Sequence, residues 1–175
     1  MIEIRLHGRG GQGAVTAAEV LAVAAFKDGK QSQAFPKFGP ERSGAPVEAY
    51  CRIDSKFINL RTQVYNPTHL VVLDPTLVSV VDVTKGLTRD GIIVMNSDTK
   101  PKIDSHKVYM VHASKIATEV LGKPIVNTAM LGAFAKATKL VSLESILEAI
   151  RERFSGELAE KNAKAIKRAY DETAV

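Results

Sequence analysis

Apolar and polar positions along the chain follow two rhythms. Ile2 to Leu6, Leu70 to Leu73, Ile92 to Met95 and Lys107 to Val111 have strand length. The middle two are apolar at every position, the pattern of strands buried on both faces of a mainly parallel sheet. Val47 to Ile53 instead alternates. Val47, Ala49, Cys51 and Ile53 fall on one face and Glu48, Tyr50 and Arg52 on the other, a strand with one wetter face. Helical patterns lie between and after these runs. Ala14 to Phe26 should end near Asp28 with Gly29 as its C-terminal cap; Val78 to Lys85 is a short candidate; Ser114 to Leu121 stops before Gly122. Asn127 to Thr138 begins with two good capping residues, Asn127 and Thr128, and is rich in small residues that let backbone or ligand approach closely. Leu143 to Phe154, capped by Ser142, and a last segment after Gly156 are amphipathic. Strands alternating with helices predict a single α/β domain over residues 1–175: Rossmann-like, three-layer and doubly wound, with a mostly parallel sheet and C-terminal amphipathic helices.

The junction of the first strand and first helix carries His7-Gly8-Arg9-Gly10-Gly11-Gln12-Gly13-Ala14. Gly8, Gly10 and Gly13 have the spacing of a phosphate-cradling turn, in which glycines permit unusual backbone angles and the free amides of a helix start attract an anion. Gly11 adds a fourth glycine, Gln12 a side-chain amide and Arg9 a fixed charge. A dinucleotide site also needs an acidic residue about 20 positions on. Lys30 to Phe35 offers Gln31, Ser32 and Gln33 instead, which argues against a nicotinamide cofactor. The competing reading is a turn that only packs helix against sheet.

Pro36 to Pro46 holds three prolines and two glycines, which forbid a helix or central strand but stiffen the loop. Arg42 would be presented rigidly there, its fork suited to phosphate or carboxylate, with Glu41 as a possible neutralising neighbour. Asp74 sits where doubly wound sheets place ligands, although Asp-Pro equally favours capping or a turn. His7, His69, His106 and His112 are scattered, and no nucleophile with a base, carboxylate pair or metal cluster occurs at recognisable spacing. No catalytic residue and no metal ligand is assigned.

Charge changes little. The net +5 is spread evenly, with eight basic and six acidic side chains in residues 1–60 and the same in 61–125, so no stripe suggests nucleic acid. The only cysteine, Cys51, lies on the apolar face of its strand and leaves this chain unable to hold an iron–sulfur cluster alone. Met1 leads straight into a strand pattern and no run reaches membrane-spanning length, so a cytoplasmic protein without membrane association is expected.

Three motifs in order, Gly8 to Gly13, Ala34-Phe35-Pro36 leading to Gly39 through Pro46, and Asn127 to Ala133, resemble the gamma subunit of 2-oxoacid:ferredoxin oxidoreductases nearly end to end. The Pro-Glu-Arg-x-Gly-Ala-Pro form is most similar to the pyruvate:ferredoxin oxidoreductase (pyruvate synthase) branch, with the branched-chain 2-oxoisovalerate enzymes close by. The resemblance implies a subunit of an oxygen-sensitive complex that decarboxylates a 2-oxoacid on thiamine diphosphate, passes electrons through iron–sulfur clusters to ferredoxin and transfers the acyl group to coenzyme A. Thiamine and clusters would sit in the alpha, beta and delta partners. Coenzyme A phosphates would meet Gly8, Arg9, Gly10, Gly11, Gln12 and Gly13, with Arg42, Asn127 and Thr128 nearby. The alternative is a stand-alone nucleotide-binding Rossmann-like module.

Overall fold

The computed structural model describes residues 1–37, 39, 42–103 and 105–175. Among them six strands, β1 (Ile2–Arg9), β2 (Gln31–Pro36), β3 (Pro46–Asp54), β4 (His69–Val72), β5 (Ile92–Asn96) and β6 (Lys107–Val111), form one sheet in the order β2-β3-β1-β4-β5-β6. β1, β4, β5 and β6 run parallel, as their short apolar runs predict. β3 pairs antiparallel with both β1 and β2, so the sheet is mixed. The pairing of β2 with β3 follows from a short return: only residues 37–45 separate the two strands, fewer than the dozen or so that a parallel crossover needs. Pro36 ends the edge strand and Pro46 begins β3, the places where a missing amide is tolerated.

Among the described residues five α-helices, α1 (Ala14–Lys27), α2 (Ala113–Leu121), α3 (Ala129–Thr138), α4 (Leu143–Arg153) and α5 (Gly156–Glu172), share one core with Ile4, Leu6, Ala49, Cys51, Ile53, Val71 and Val94 of the sheet. α1 lies on β2 and β3, α3 on β5 and β6, and α4 and α5 close over them. Their ends follow the sequence. Gly29 takes a left-handed φ of 77° after α1, Gly122 one of 74° after α2, and Ser142 accepts from the Ser145 amide at 3.1 Å at the start of α4. The small residues of α3 serve packing: a Cβ on Gly132 would overlap the Ile166 carbonyl oxygen of α5. Thr128 stands at the N-cap of α3 but makes no capping bond, because its hydroxyl donates to Asn162 Oδ1 at 2.6 Å.

The opposite face of the sheet is covered by irregular chain, which makes the third layer. Leu70, Val72, Ile93, Met95 and Val108 form a second, smaller core against Val78, Leu87 and Ile103. The helix expected over Val78 to Lys85 is replaced by a single 3-10 helix, Pro75–Ser79, followed by turns. Two polar competitors explain the difference. Asp82 accepts from the Thr84 amide and hydroxyl at 3.1 and 2.8 Å, and buried Arg5 takes the carbonyls of Val83 and Lys85 at 3.0 and 2.6 Å, so the backbone has partners outside a helix.

Candidate functional site

β1 delivers the chain into the glycine turn, and Gly13, at φ 76°, is the N-cap residue of α1. The first helical bond runs from the Ala17 amide to the Gly13 carbonyl at 3.0 Å, so the amides of Ala14, Val15 and Thr16 precede the helical ladder. Gly11, at φ 94°, is exposed, and a Cβ there would meet nothing within 4 Å. The turn therefore presents open backbone beside the positive end of a helix.

The proline-rich stretch is stitched to this turn. The Gly10 amide donates to the Ala45 carbonyl at 2.9 Å and the Gly44 amide to the Gly10 carbonyl at 3.1 Å, with a parallel bridge between Gly10 and Ser43. A side chain at Gly10 would overlap the Arg42 carbonyl oxygen, so close approach demands glycine there. Exposed Arg42 is thereby fixed beside the turn; Glu41, its expected neutralising neighbour, lies outside the described residues, as do Phe38 and Pro40.

Arg9 has a different role from the free cation the sequence suggests. Its Nε donates to Asp74 Oδ2 at 3.0 Å, Nη1 to the Gly44 carbonyl at 3.1 Å and Nη2 to Thr76 Oγ1 at 2.8 Å. One guanidinium thus ties β1, the glycine–proline stretch and the 3-10 helix together, and Asp74 offsets much of its charge. Gln12 completes the tie: its Oε1 accepts from the Arg9 amide at 2.7 Å and its Nε2 donates to Asp74 Oδ2 at 3.2 Å. Burial pushes the Asp74 carboxyl up, but bonds from Thr76, Gln12 and Arg9 outweigh it and hold the group below its usual range. Asp74 also caps the 3-10 helix through the Thr76 amide at 3.0 Å, so the capping reading and the ligand-end position coincide.

Asn127 approaches from the other side. Its Nδ2 donates to the Gly13 carbonyl at 3.3 Å, a Cβ on Gly13 would overlap that nitrogen, and its buried Oδ1 has no partner among the described residues. An unpaired buried acceptor costs about 1–3 kcal/mol, so Oδ1 is suited to a donor from outside the chain. Gly8, Arg9, Gly10, Gly11, Gln12, Gly13, Arg42 and Asn127 converge on one corner; Thr128, 1 % exposed and bonded to Asn162, does not open onto it.

His7 is not a ligand group here. Buried on β1, it accepts the Arg5 Nε proton at Nε2, 3.0 Å away, and burial, aided by the Arg5 charge, lowers its pKa to about 4. Cys51 is fully buried, and burial pushes its thiol up to about 12, which makes it inert. Among the described residues no three His, Cys, Asp or Glu side chains cluster as metal ligands, and no helix is long and apolar enough to cross a membrane. Sequence reasoning passed over Thr76 and Asp74 as partners of Arg9, and Asn162 as the partner of Thr128. Only the Asp-Pro-Thr capping signature hinted at the first.

A family model for pyruvate ferredoxin/flavodoxin oxidoreductase matches residues 3–172. The chain belongs to that family. It is 57% identical, over all of its length and 98% of the relative's, to the pyruvate/ketoisovalerate oxidoreductases common subunit gamma of Pyrococcus furiosus. It is 59% identical to the pyruvate synthase subunit PorC of Methanothermobacter thermautotrophicus, over 98% of this chain and 96% of that one. The crystal structure of the pyruvate oxidoreductase subunit PORC of Thermotoga maritima has the same fold, with a TM-score of 0.88, 38% identity, and coverage of 99% of this chain and 97% of that one. The fold also recurs, at 17% identity and a TM-score of 0.79, as 30% of a longer chain of the 2-oxoglutarate:ferredoxin oxidoreductase of Magnetococcus marinus. Within the family this is a gamma-type subunit of a multisubunit oxidoreductase, as its motifs led one to expect, not a free-standing nucleotide module.

Proposed function

We propose that this subunit supplies the phosphate cradle for coenzyme A in a complex that oxidatively decarboxylates pyruvate, or a branched 2-oxoacid in a sister complex, to the acyl thioester and carbon dioxide with reduction of ferredoxin. The observation that carries the reading is the stitching of Ser43, Gly44 and Ala45 to Gly10, which brings the backbone of exposed Arg42 against the turn that holds the open backbone of Gly11 and leads into α1. The residues fit an anionic group: Gly11, Gly13 and the first-turn amides of α1 would hold phosphate oxygens, Arg42 would add charge, and Asn127 would fix Gly13 from behind. Gly8, Gly10, Arg9 and Gln12 would keep the cradle in shape, Arg9 contributing little net charge because of Asp74. Thr128 would act only through Asn162. Coenzyme A supplies the thiol that receives the acyl group; the thiamine diphosphate and iron–sulfur chemistry we assign to alpha, beta and delta partners, and the electrons to ferredoxin.

The shared gamma subunit named for the Pyrococcus furiosus enzymes supports this division. A chain used with two oxoacids is suited to the step both reactions share, and both end on the same thiol carrier. The structure of the Magnetococcus marinus enzyme was obtained with coenzyme A bound to that protein. Steady-state kinetics of the assembled complex test the reading. Arg42→Ala should raise the KM for coenzyme A about tenfold, the loss of one charge-assisted contact, with the KM for pyruvate unchanged. An unaltered coenzyme A KM in both Arg42→Ala and Arg9→Ala would favour a turn that only packs against a partner and shapes the active-site mouth.

A further inference from the structure

Ser55–Asn66 joins β3 to β4 on the sheet face opposite α1, the side to which Arg52 points. One side chain holds its backbone from beneath. Arg52, 1 % exposed, donates to the carbonyls of Leu60, Thr62 and Gln63 at 3.4, 2.7 and 3.2 Å and pairs through Nε with Glu3 at 2.8 Å, its guanidinium 5.1 Å from the Phe35 ring centroid. A buried cation is tolerated only when its donors are satisfied, so the shape of the segment and the presence of Arg52 depend on each other.

Three large apolar or aromatic side chains stand out to solvent among polar ones. Phe57 is 82 % exposed, Tyr65 68 % and Leu60 43 %, while the only charges in the segment are Lys56 and Arg61, with no carboxylate. Gly86 lies against the Tyr65 carbonyl and brings exposed Lys85 alongside. Aromatic groups on a frame already ordered from below lose little entropy when they meet a partner, and a cationic border suits an acidic one. A second copy of this chain fits poorly, since a two-fold contact would set Lys56 and Arg61 against themselves.

We propose that Ser55–Asn66 is a preformed docking loop that seats on an apolar, acid-rimmed surface of another subunit of the oxidoreductase. This rests on membership in a family of multisubunit enzymes, and extends it by assigning the surface and its chemistry. Native mass spectrometry of the co-expressed complex tests it. Phe57→Glu/Tyr65→Glu should lower the fraction of complexes containing this chain about tenfold or more, while the isolated variant keeps its circular-dichroism spectrum and melting curve. Lys56→Glu/Arg61→Glu should weaken assembly less, and Phe26→Glu, exposed on α1 across the sheet, should leave it intact. Hydrogen exchange at 56–66 should slow in the unaltered complex. Normal incorporation of Phe57→Glu/Tyr65→Glu, or slowed exchange arising only in a dimer of this chain, would overturn the docking assignment. Failure of the unaltered chain to join any other subunit would overturn the family premise as well.

Discussion

On the helix side of β1 and β3, Ile4, Leu6, Ala49, Cys51 and Ile53 are 0–2 % exposed and meet α1 and its neighbours. On the other side of the same strands, the alternate residues Arg5, His7, Tyr50 and Arg52 are 1–5 % exposed and meet irregular chain. Equal burial is reached by opposite means. Apolar side chains on the helix side gain by leaving water and by dispersion, without direction, so shape and volume matter. Polar groups on the far side are tolerated because each is aimed: Arg5 at His7, Val83 and Lys85, Arg52 at Glu3, Leu60, Thr62 and Gln63, and the Tyr50 hydroxyl at Glu48 at 2.7 Å. The directed side orders two loops that have no regular structure of their own, and one of them bears the proposed docking residues.

Removing one aimed cation should cost more than removing one apolar group of similar burial. Arg52→Ala leaves Glu3 and three loop carbonyls unmatched and should destabilise the isolated chain by about 3–5 kcal/mol in urea unfolding. Arg52→Met should recover part of that by keeping the stem. A loss under about 1 kcal/mol would mean that water replaces the guanidinium freely and that the far side is not an interior.

The far side should also respond to acid. The unfolded His7 binds a proton below about pH 6.5, but the folded one does so only near pH 4, so between these values the unfolded state holds more protons and stability falls as pH falls. The full effect is about 3 kcal/mol and is complete below pH 4. His69, lowered to about 4 by burial, acts in the same direction. Unfolding measured from pH 7 to 4 should therefore show a slope that His7→Gln flattens by about half; an unchanged slope would mean His7 titrates as it would in water.

This contrast also explains what could be read from the chain. The helix side was legible because apolar periodicity states which groups avoid water, and the caps Gly29 and Gly122 state where helices stop and Ser142 where one starts. The turn at Gly8–Gly13 was legible because close approach restricts the residue type. Arg52 and Tyr50 looked like a wetter face because alternation records polarity, and polarity does not distinguish solvent from an aimed partner such as the Thr62 carbonyl, 10 positions along the chain from Arg52. For the same reason Val78–Lys85 looked helical: nothing in its own pattern reveals Arg5 beneath it. In the site, Arg42 was placed by its rigid surroundings, whereas the tie of Arg9 to Asp74 joins residues 65 apart, and the Asp-Pro-Thr signature records the cap without its distant partner.

Smaller effects sharpen the helix side. Gly132→Ala puts a methyl group against the backbone of α5 and should cost about 1–3 kcal/mol, as overpacking does. Thermal unfolding measures it, and Ile166→Val, which leaves the α5 backbone in place, should not rescue it.

The finest comparison lies within the glycine turn. Gly11 and Gly13 both have positive φ, 94° and 76°, but open space surrounds the first and Asn127 abuts the second. Gly11→Ala should cost only the backbone strain of an L-residue there, about 1–2 kcal/mol. Gly13→Ala should cost that and the displacement of Asn127 together. A double-mutant cycle separates the two, since Asn127→Ala removes the obstructing nitrogen. If packing against Asn127 is what demands glycine at the start of α1, Gly13→Ala in the Asn127→Ala background should cost no more than Gly11→Ala. An undiminished cost would trace the requirement to the dihedral angle alone, and Asn127 would then hold the turn only through its bond to the Gly13 carbonyl.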